Sequence, residues 1–185
     1  MQVRDIGMGV LEVVPERRGD ARGFFAETWQ RQRFAKAGIA HDWIQDNQSF
    51  SAEPYVLRGL HFQRSPMAQA KLIRVLRGKI FDVAVDIRPG SESFGLWASC
   101  LLSADQFNQL YIPEGFAHGF LTLEANVEVL YKVSAPYAPE YERAVAWNDP
   151  ELGIAWPLTD GKQPLLSAKD AAAPPLSALE PELVF

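Results

Sequence analysis

What most constrains this chain is the spacing of its apolar residues. Between residues 10 and 133 it breaks into short runs that mostly alternate apolar with polar side chains, punctuated by Gly and Pro, of which the chain holds 13 each. A period of two suits a strand with one buried face and defeats an amphipathic helix. Strands are predicted over residues 10–14, 24–29, 43–51, 56–63, 71–76, 79–87, 95–102, 109–112, 118–123 and 127–133. Arg77-Gly78-Lys79 joins two of them tightly, Pro89-Gly90 closes another, and Pro113-Glu114-Gly115 sets a bend ahead of His118. Ten short strands at this spacing imply an antiparallel sandwich or barrel. One helix is predicted, over residues 30–37, with Phe34 and Ala37 as apolar positions and Gly38 as its stop. From about Leu165 the composition shifts to Ala, Pro and Leu, which reads as an arm or tail; a mobile end and a docked Lys169-Asp170 pair are both open.

Composition bounds the rest. With 48% apolar and 22% charged residues among 185, one globular domain is expected and extended disorder is excluded. Asp and Glu outnumber Lys and Arg by 23 to 18, so the net charge of -5 repels polyanions and no nucleic-acid partner is expected. Cys100 is the lone cysteine, so neither an intramolecular disulfide nor a Cys/His zinc quartet can form. The first residues carry an early acid and no apolar signal region, and no run of about 18 apolar residues occurs. The expectation is a soluble cytoplasmic protein with no membrane partner.

Three histidines can be weighed one by one. His41 reads as a surface residue. His61 lies in Leu57-Arg58-Gly59-Leu60-His61-Phe62-Gln63, where strict alternation places it with Leu57, Gly59 and Gln63; it is either a hydrogen-bonded core histidine or a ligand-facing group beside a small residue. His118 follows Pro113-x-Gly115-x-x-His118, which is similar to the second half of the cupin signature. The first half of that signature needs two histidines and a Glu, and only His61 is available there, so no catalytic metal is expected. Tyr131 shares a strand face with Val127, Val129 and Val133, so its phenol aims inward, either as a structural tyrosine or as an acid. Lys71 shares a face with Ile73 and Val75; if buried, its ammonium needs a carboxylate or an anionic ligand nearby. Asp82 and Asp86 lie opposite Phe81, Val83 and Val85; they can orient a histidine, but the solvated reading is favoured. Arg22, Arg58, Lys71, Arg74 and Lys169 come from separate segments and, converging, can neutralise a diphosphate.

Several longer runs go beyond single residues. Gly19-Asp20-Ala21-Arg22-Gly23-Phe24-Phe25-Ala26-Glu27, Gln45-Asp46-Asn47-Gln48-Ser49, Leu57 to Gln63, and Ile112-Pro113-Glu114-Gly115-Phe116-Ala117-His118-Gly119-Phe120 strongly resemble the dTDP-4-dehydrorhamnose 3,5-epimerase family. Phe81-Asp82-Val83-Ala84-Val85-Asp86-Ile87-Arg88, Trp147-Asn148-Asp149-Pro150 and Leu166-Ser167-Ala168-Lys169-Asp170 continue the match in family order. The resemblance implies an all-β, double-stranded β-helix (a cupin-like jelly roll) with a short helix and a C-terminal arm, forming a homodimer without metal or redox cofactor. It implies inversion of carbons 3 and 5 of dTDP-4-dehydro-6-deoxy-D-glucose. By similarity His61 is the base, Asp170 its orienting partner, Tyr131 the opposing acid and Lys71 the group near the enolate oxygen. It assigns Arg22, Glu27, Gln45, Asn47, Arg58, His118, Glu142 and Lys169 to substrate contacts, with Phe25 and Tyr137 as aromatic surfaces and Tyr137 stacking on thymine.

One tension is visible: alternation separates Arg58 from His61, although the resemblance puts both in the site. A bulge near Gly59, or an arginine reaching across a dimer interface, resolves it. Exchange of N-terminal strands between subunits, so that Arg22 and Glu27 serve the neighbour, is likewise open. Ala168, Glu142 ahead of Arg143, and the Pro/Ala-rich tail depart from the family pattern. Epimerisation of only one carbon, and noncatalytic binding of a sugar nucleotide, stay as alternatives.

Overall fold

The computed structural model describes residues 1–159, 161–179 and 182–185. Its strands are β1 (Gln2–Gly7), β2 (Val10–Val14), β3 (Arg17–Asp20), β4 (Gly23–Ala26), β5 (Gln45–Ser51), β6 (Leu57–Gln63), β7 (Lys71–Arg77), β8 (Lys79–Asp86), β9 (Trp97–Ser103), β10 (Gln109–Ile112), β11 (Phe116–Thr122), β12 (Val127–Val133) and β13 (Glu142–Ala144). Helices α1 (Arg31–Lys36) and α2 (Ala168–Ala171) are short. Six strands form one antiparallel sheet in the order β1-β2-β10-β7-β12-β5, and five form another in the order β13-β6-β11-β8-β9. β3 and β4 pair alone as a hairpin. The two large sheets make the cupin-like jelly roll that the resemblance implied.

Alternation sorts the side chains into three apolar layers. Ile73 and Val75 of β7, Ile80 and Ala84 of β8, Phe120 of β11, and Val127 and Val129 of β12 meet between the sheets. The outer face of the six-stranded sheet is covered by the α1 region, where Phe34 and Ile39 pack on Leu72 and Tyr111. Gln30 caps α1 by accepting a hydrogen bond from Arg33 N–H at 2.7 Å, so the helix starts one residue after its expected position.

The outer face of the five-stranded sheet is covered by the C-terminal arm. Leu176, Leu179 and Leu183 bury themselves against Leu60, Phe62, Val83, Val85 and Ala117. Burial of each leucine contributes roughly 1.5–3 kcal/mol toward offsetting the entropy of ordering a segment that composition alone marks as irregular. Asp149 of the Trp-Asn-Asp-Pro run fixes the arm: its Oδ2 accepts from Leu176 N–H at 2.7 Å and its Oδ1 from Glu151 N–H at 2.9 Å.

Strands β1, β3 and β13 lie outside the predicted set. β1 and β3 are mostly exposed on both faces, which erases the alternation, and β13 has three residues. The strand expected over residues 24–29 ends at Ala26, and β11 begins at Phe116, placing His118 inside the strand rather than at its start. Among the described residues, no helix is long and apolar enough to cross a membrane.

Candidate active site

The site lies between the two sheets, and each sheet supplies part of it. On the six-stranded sheet, pairing of β12 with β5 sets Tyr131 opposite Asn47, Val133 opposite Gln45 and Val129 opposite Ser49. Pairing of β12 with β7 sets Val133 opposite Lys71. On the five-stranded sheet, β6 and β11 bring His61 opposite His118. The pairs then slip: Phe120 faces Arg58, so one residue of β11 spans two of β6. This is a bulge at Gly59-Leu60, and it returns Arg58 to the side on which His61 stands. It resolves the tension in the sequence and corrects the strict alternation that grouped Leu57 and Gly59 with His61. Gly59 is required there, with φ at +125° and a Cβ position only 2.4 Å from the Gly119 Cα.

A cleft with two lobes results. One, of about 310 Å³, is lined by Gln45, Asn47, His61, Gln63, Lys71, Tyr131, Tyr137 and Glu142 among others. The other, of about 270 Å³, is lined by Ser49, Arg58, His61, Lys71, His118, Phe120, Tyr131, Ser167 and Asp170. His61, Lys71 and Tyr131 belong to both lobes, so they mark the waist of the cleft. His61 and Tyr131 reach it from opposite sheets.

The arm delivers the carboxylate. Ser167 caps α2, accepting from Asp170 N–H at 3.1 Å and donating its hydroxyl to Asp170 Oδ2 at 2.8 Å. Asp170 Oδ1 accepts from His61 Nε2 at 2.5 Å, which puts the imidazole proton on Nε2 and leaves Nδ1 for other chemistry. Burial alone raises the Asp170 carboxyl, but the hydrogen bonds and charge from His61 and the Ser167 hydroxyl outweigh it and hold it below the ordinary range. Burial pushes the Tyr131 phenol above its ordinary value despite the pull of Arg58, so it is a protonated donor at neutral pH. Lys71 is buried, donates to the His61 carbonyl at 3.2 Å, and is drawn down to about 8 chiefly by burial, with Asp82 and Glu142 opposing.

At the rim, Tyr137 donates to Glu142 at 2.7 Å, and Lys169 pairs with the same carboxylate. Burial raises the Glu142 carboxyl, and these two partners more than reverse that. Gln45 bridges Asn47 at 2.7 Å and the Tyr137 N–H at 3.0 Å. Arg58 donates to the Phe50 carbonyl at 3.1 Å, which fixes its guanidinium beside β5.

Not every expected residue joins this cleft. Arg22 pairs with Asp20 at 2.6 Å on the β3–β4 hairpin, Phe25 beside it is 73% exposed, and Glu27 pairs with Arg33 at 3.1 Å. None of these three lines either lobe. Arg74 lies over the Phe107 ring, so the basic cluster forms without it. His41, expected at the surface, is half-buried and bonds the Tyr111 hydroxyl at 2.8 Å.

Asp82 and Asp86, favoured as solvated, are both 0% exposed. The arm covers the Val83 face of β8, and the aspartate face looks into the interior, so neither side of the strand meets water. Asp86 is a turn anchor that accepts from Arg88, Ser91 and Ser93. Asp82 Oδ1 accepts from His118 Nε2 at 2.9 Å. Burial lowers His118 although Asp82 pulls the other way. Ser167 and Ser49 also went unread as site residues; the Ser-x-x-Asp spacing of a helix cap was the available signal for the first. Among the described residues, no three of His, Cys, Asp and Glu converge as a metal-binding group.

A jelly roll whose cleft sets a carboxylate-bound imidazole across from a phenol defines a cupin-like protein with a candidate acid–base pair. Comparison with known proteins carries this further. Residues 7–178 match the family described as dTDP-4-dehydrorhamnose 3,5-epimerase. The chain is 52% identical over 162 residues to the dTDP-4-dehydrorhamnose 3,5-epimerase of Pseudomonas aeruginosa, covering 87% of each chain. It is 51% identical over 166 residues to that of Salmonella typhimurium, covering 89% of each. The crystal structure of dTDP-6-deoxy-D-glucose-3,5-epimerase from Legionella pneumophila, in complex with dTDP-4-keto-L-rhamnose, superposes with a TM-score of 0.91 at 44% identity, covering 99% of this chain and 97% of that one. The chain belongs to the dTDP-4-dehydrorhamnose 3,5-epimerase family.

Proposed function

We propose that this protein inverts carbons 3 and 5 of dTDP-4-dehydro-6-deoxy-D-glucose, giving dTDP-4-dehydro-L-rhamnose. The observation that carries the reading is the position of His61 and Tyr131 on opposite walls of one cleft. Both carbons flank the 4-keto group, so loss of either proton leaves an enolate whose charge resides largely on the carbonyl oxygen. His61 Nδ1 takes the proton from one face of the ring, and Asp170 stabilises the imidazolium that forms. Tyr131 returns a proton to the opposite face, which inverts the centre. Lys71 faces the enolate oxygen; one such contact in a water-excluded site contributes on the order of 3 kcal/mol to the transition state. Between the two inversions the imidazolium gives its proton to solvent, to which the His61 side chain is 29% accessible, and the Tyr131 phenolate takes one up.

Tyr137, Gln45 and Asn47 receive the thymidine at the rim, and Arg58 and Lys169 supply positive charge to the diphosphate. His118 and Glu142 complete the substrate contacts. The protein works as a homodimer in which the hairpin bearing Arg22, Phe25 and Glu27 reaches the neighbour's cleft. Supporting this, Phe24 and Phe25 are 59% and 73% exposed on that hairpin. Sedimentation equilibrium yielding a monomer contradicts the dimer. A nucleotide-sugar substrate and a single buried Cys100 suit the reducing cytoplasm.

The test of the reaction is turnover in deuterated water. The product should carry deuterium at both carbon 3 and carbon 5. Label at one carbon alone shows a mono-epimerase, and label at neither shows a binding protein.

A further inference from the structure

We propose that Asp82 is a positioning residue for this reaction: from behind the cleft its carboxylate holds Lys71 in the ammonium form and fixes the His118 proton on Nε2. The inference rests on the role given to Lys71 above.

Asp82 is fully buried, and its cross-strand neighbours are Phe120 on β11 and Cys100 on β9. Its Oδ1 takes the His118 hydrogen bond, while Oδ2 has no hydrogen-bond partner among the described residues. A buried carboxylate oxygen left in this state is costly unless a charge compensates it. The compensating charge is the ammonium of Lys71, which is buried and lines the same lobe of the cleft as His118, the residue bonded to Asp82.

The charged and titratable groups around Lys71 come from several elements: Arg58 and His61 on β6, Asp82 on β8, His118 on β11, Tyr131 on β12, Glu142 on β13 and Asp170 on α2, with apolar Ile112 opposite it on β10. Asp170 is engaged by His61 and Ser167. Tyr131 is neutral, and Glu142 is already engaged by Lys169 and Tyr137. Among the described residues no Lys or Arg is bonded to Asp82, and its partner His118 is pushed toward the neutral form by burial. Asp82 is therefore the anion available to keep Lys71 charged inside an apolar wall, where desolvation works against the charge.

The consequence is a signed pH effect. Lys71 loses its proton as the pH rises through about 8, and with it the charge that stabilises an enolate. Wild-type kcat/KM should therefore fall above about pH 8. In Asp82→Asn, which keeps an acceptor for His118 but removes the charge, this alkaline limb should move down by about one pH unit or more, the scale for losing a nearby opposite charge. Near pH 8 the variant should be roughly fivefold slower, approaching about tenfold at higher pH, and its ratio to wild type should approach unity as the pH is lowered. A ratio constant across pH indicates a merely structural role and overturns the proposal.

The 13Cε resonance of Lys71 in the ligand-free protein gives a readout independent of activity. Its midpoint should fall in Asp82→Asn; an unmoved midpoint overturns the inference itself. A midpoint that falls without a matching shift in kcat/KM contradicts the assigned role of Lys71 in the reaction. If Asp82→Asn does not fold, the wild-type protein decides: the Asp82 13Cγ signal must shift with the Lys71 midpoint, and independent behaviour overturns the proposal.

Discussion

Replacement of His61 by alanine should lower kcat by about 100-fold or more while leaving affinity for dTDP within roughly tenfold. The split follows from where the imidazole sits. It stands at the waist of the cleft, bonded to Asp170, whereas the residues proposed to hold the nucleotide lie at the rim and make their own contacts: Tyr137 to Glu142, Gln45 to Asn47, and Lys169 to Glu142. Removing the imidazole deletes the base without disturbing that rim. It also leaves Asp170 buried with Ser167 as its one side-chain partner among the described residues, which should cost some stability. Steady-state kinetics with the 4-keto sugar, paired with calorimetric titration of dTDP, separates the two effects. Unchanged turnover removes His61 from the mechanism, and loss of binding equal to the loss of turnover makes it a binding residue.

Gly59→Ala should be the most damaging single methyl in the chain. The added Cβ would lie 2.4 Å from Gly119 Cα and 2.7 Å from the His118 carbonyl oxygen, both backbone atoms that no rotamer change can move. The φ of +125° adds a conformational penalty for any residue with a Cβ. Relief requires β6 and β11 to separate where His61 and His118 face each other, so activity and stability should fall together. A cost of about 4 kcal/mol or more puts the variant at the severe end of point mutations and lowers Tm by roughly 10 °C in a protein of this size. A thermal melt within about 2 °C of wild type would show that the bulge tolerates a side chain.

The same bulge shows how far the sequence could be read. Arg58 and His61 were incompatible with one uninterrupted strand, and the glycine between them was the available place for an irregularity; β6 slips there against β11. The inward faces of β7 and β12 were also legible, because Lys71 shares its side with Ile73 and Val75, and Tyr131 with Val127 and Val129. Asp82 was not. Its alternation with Phe81 and Val83 fits a strand with one wet face, but the face opposite the interior is covered by leucines from about a hundred residues further along the chain, a contact that local periodicity cannot encode. For the same reason the sequence left a mobile end and a docked Lys169-Asp170 pair both open for the arm; the arm is docked, and it sets Asp170 against His61. Arg22 and Phe25 of the hairpin and Glu27 just after it carry family resemblance yet line neither lobe of the cleft, and the proposed dimer is the reading that gives them a place in it.

In the proposed mechanism an imidazole and a phenol work from opposite faces of one sugar ring. Turnover of Tyr131→Phe in deuterated water, followed by NMR at carbons 3 and 5, tests it most directly. With the donor gone and the base intact, His61 should remove each proton, exchange it with solvent and return deuterium to the face it came from. The expected result is label in the starting sugar with little inversion, whereas inversion at a rate near that of the wild-type protein would contradict the account.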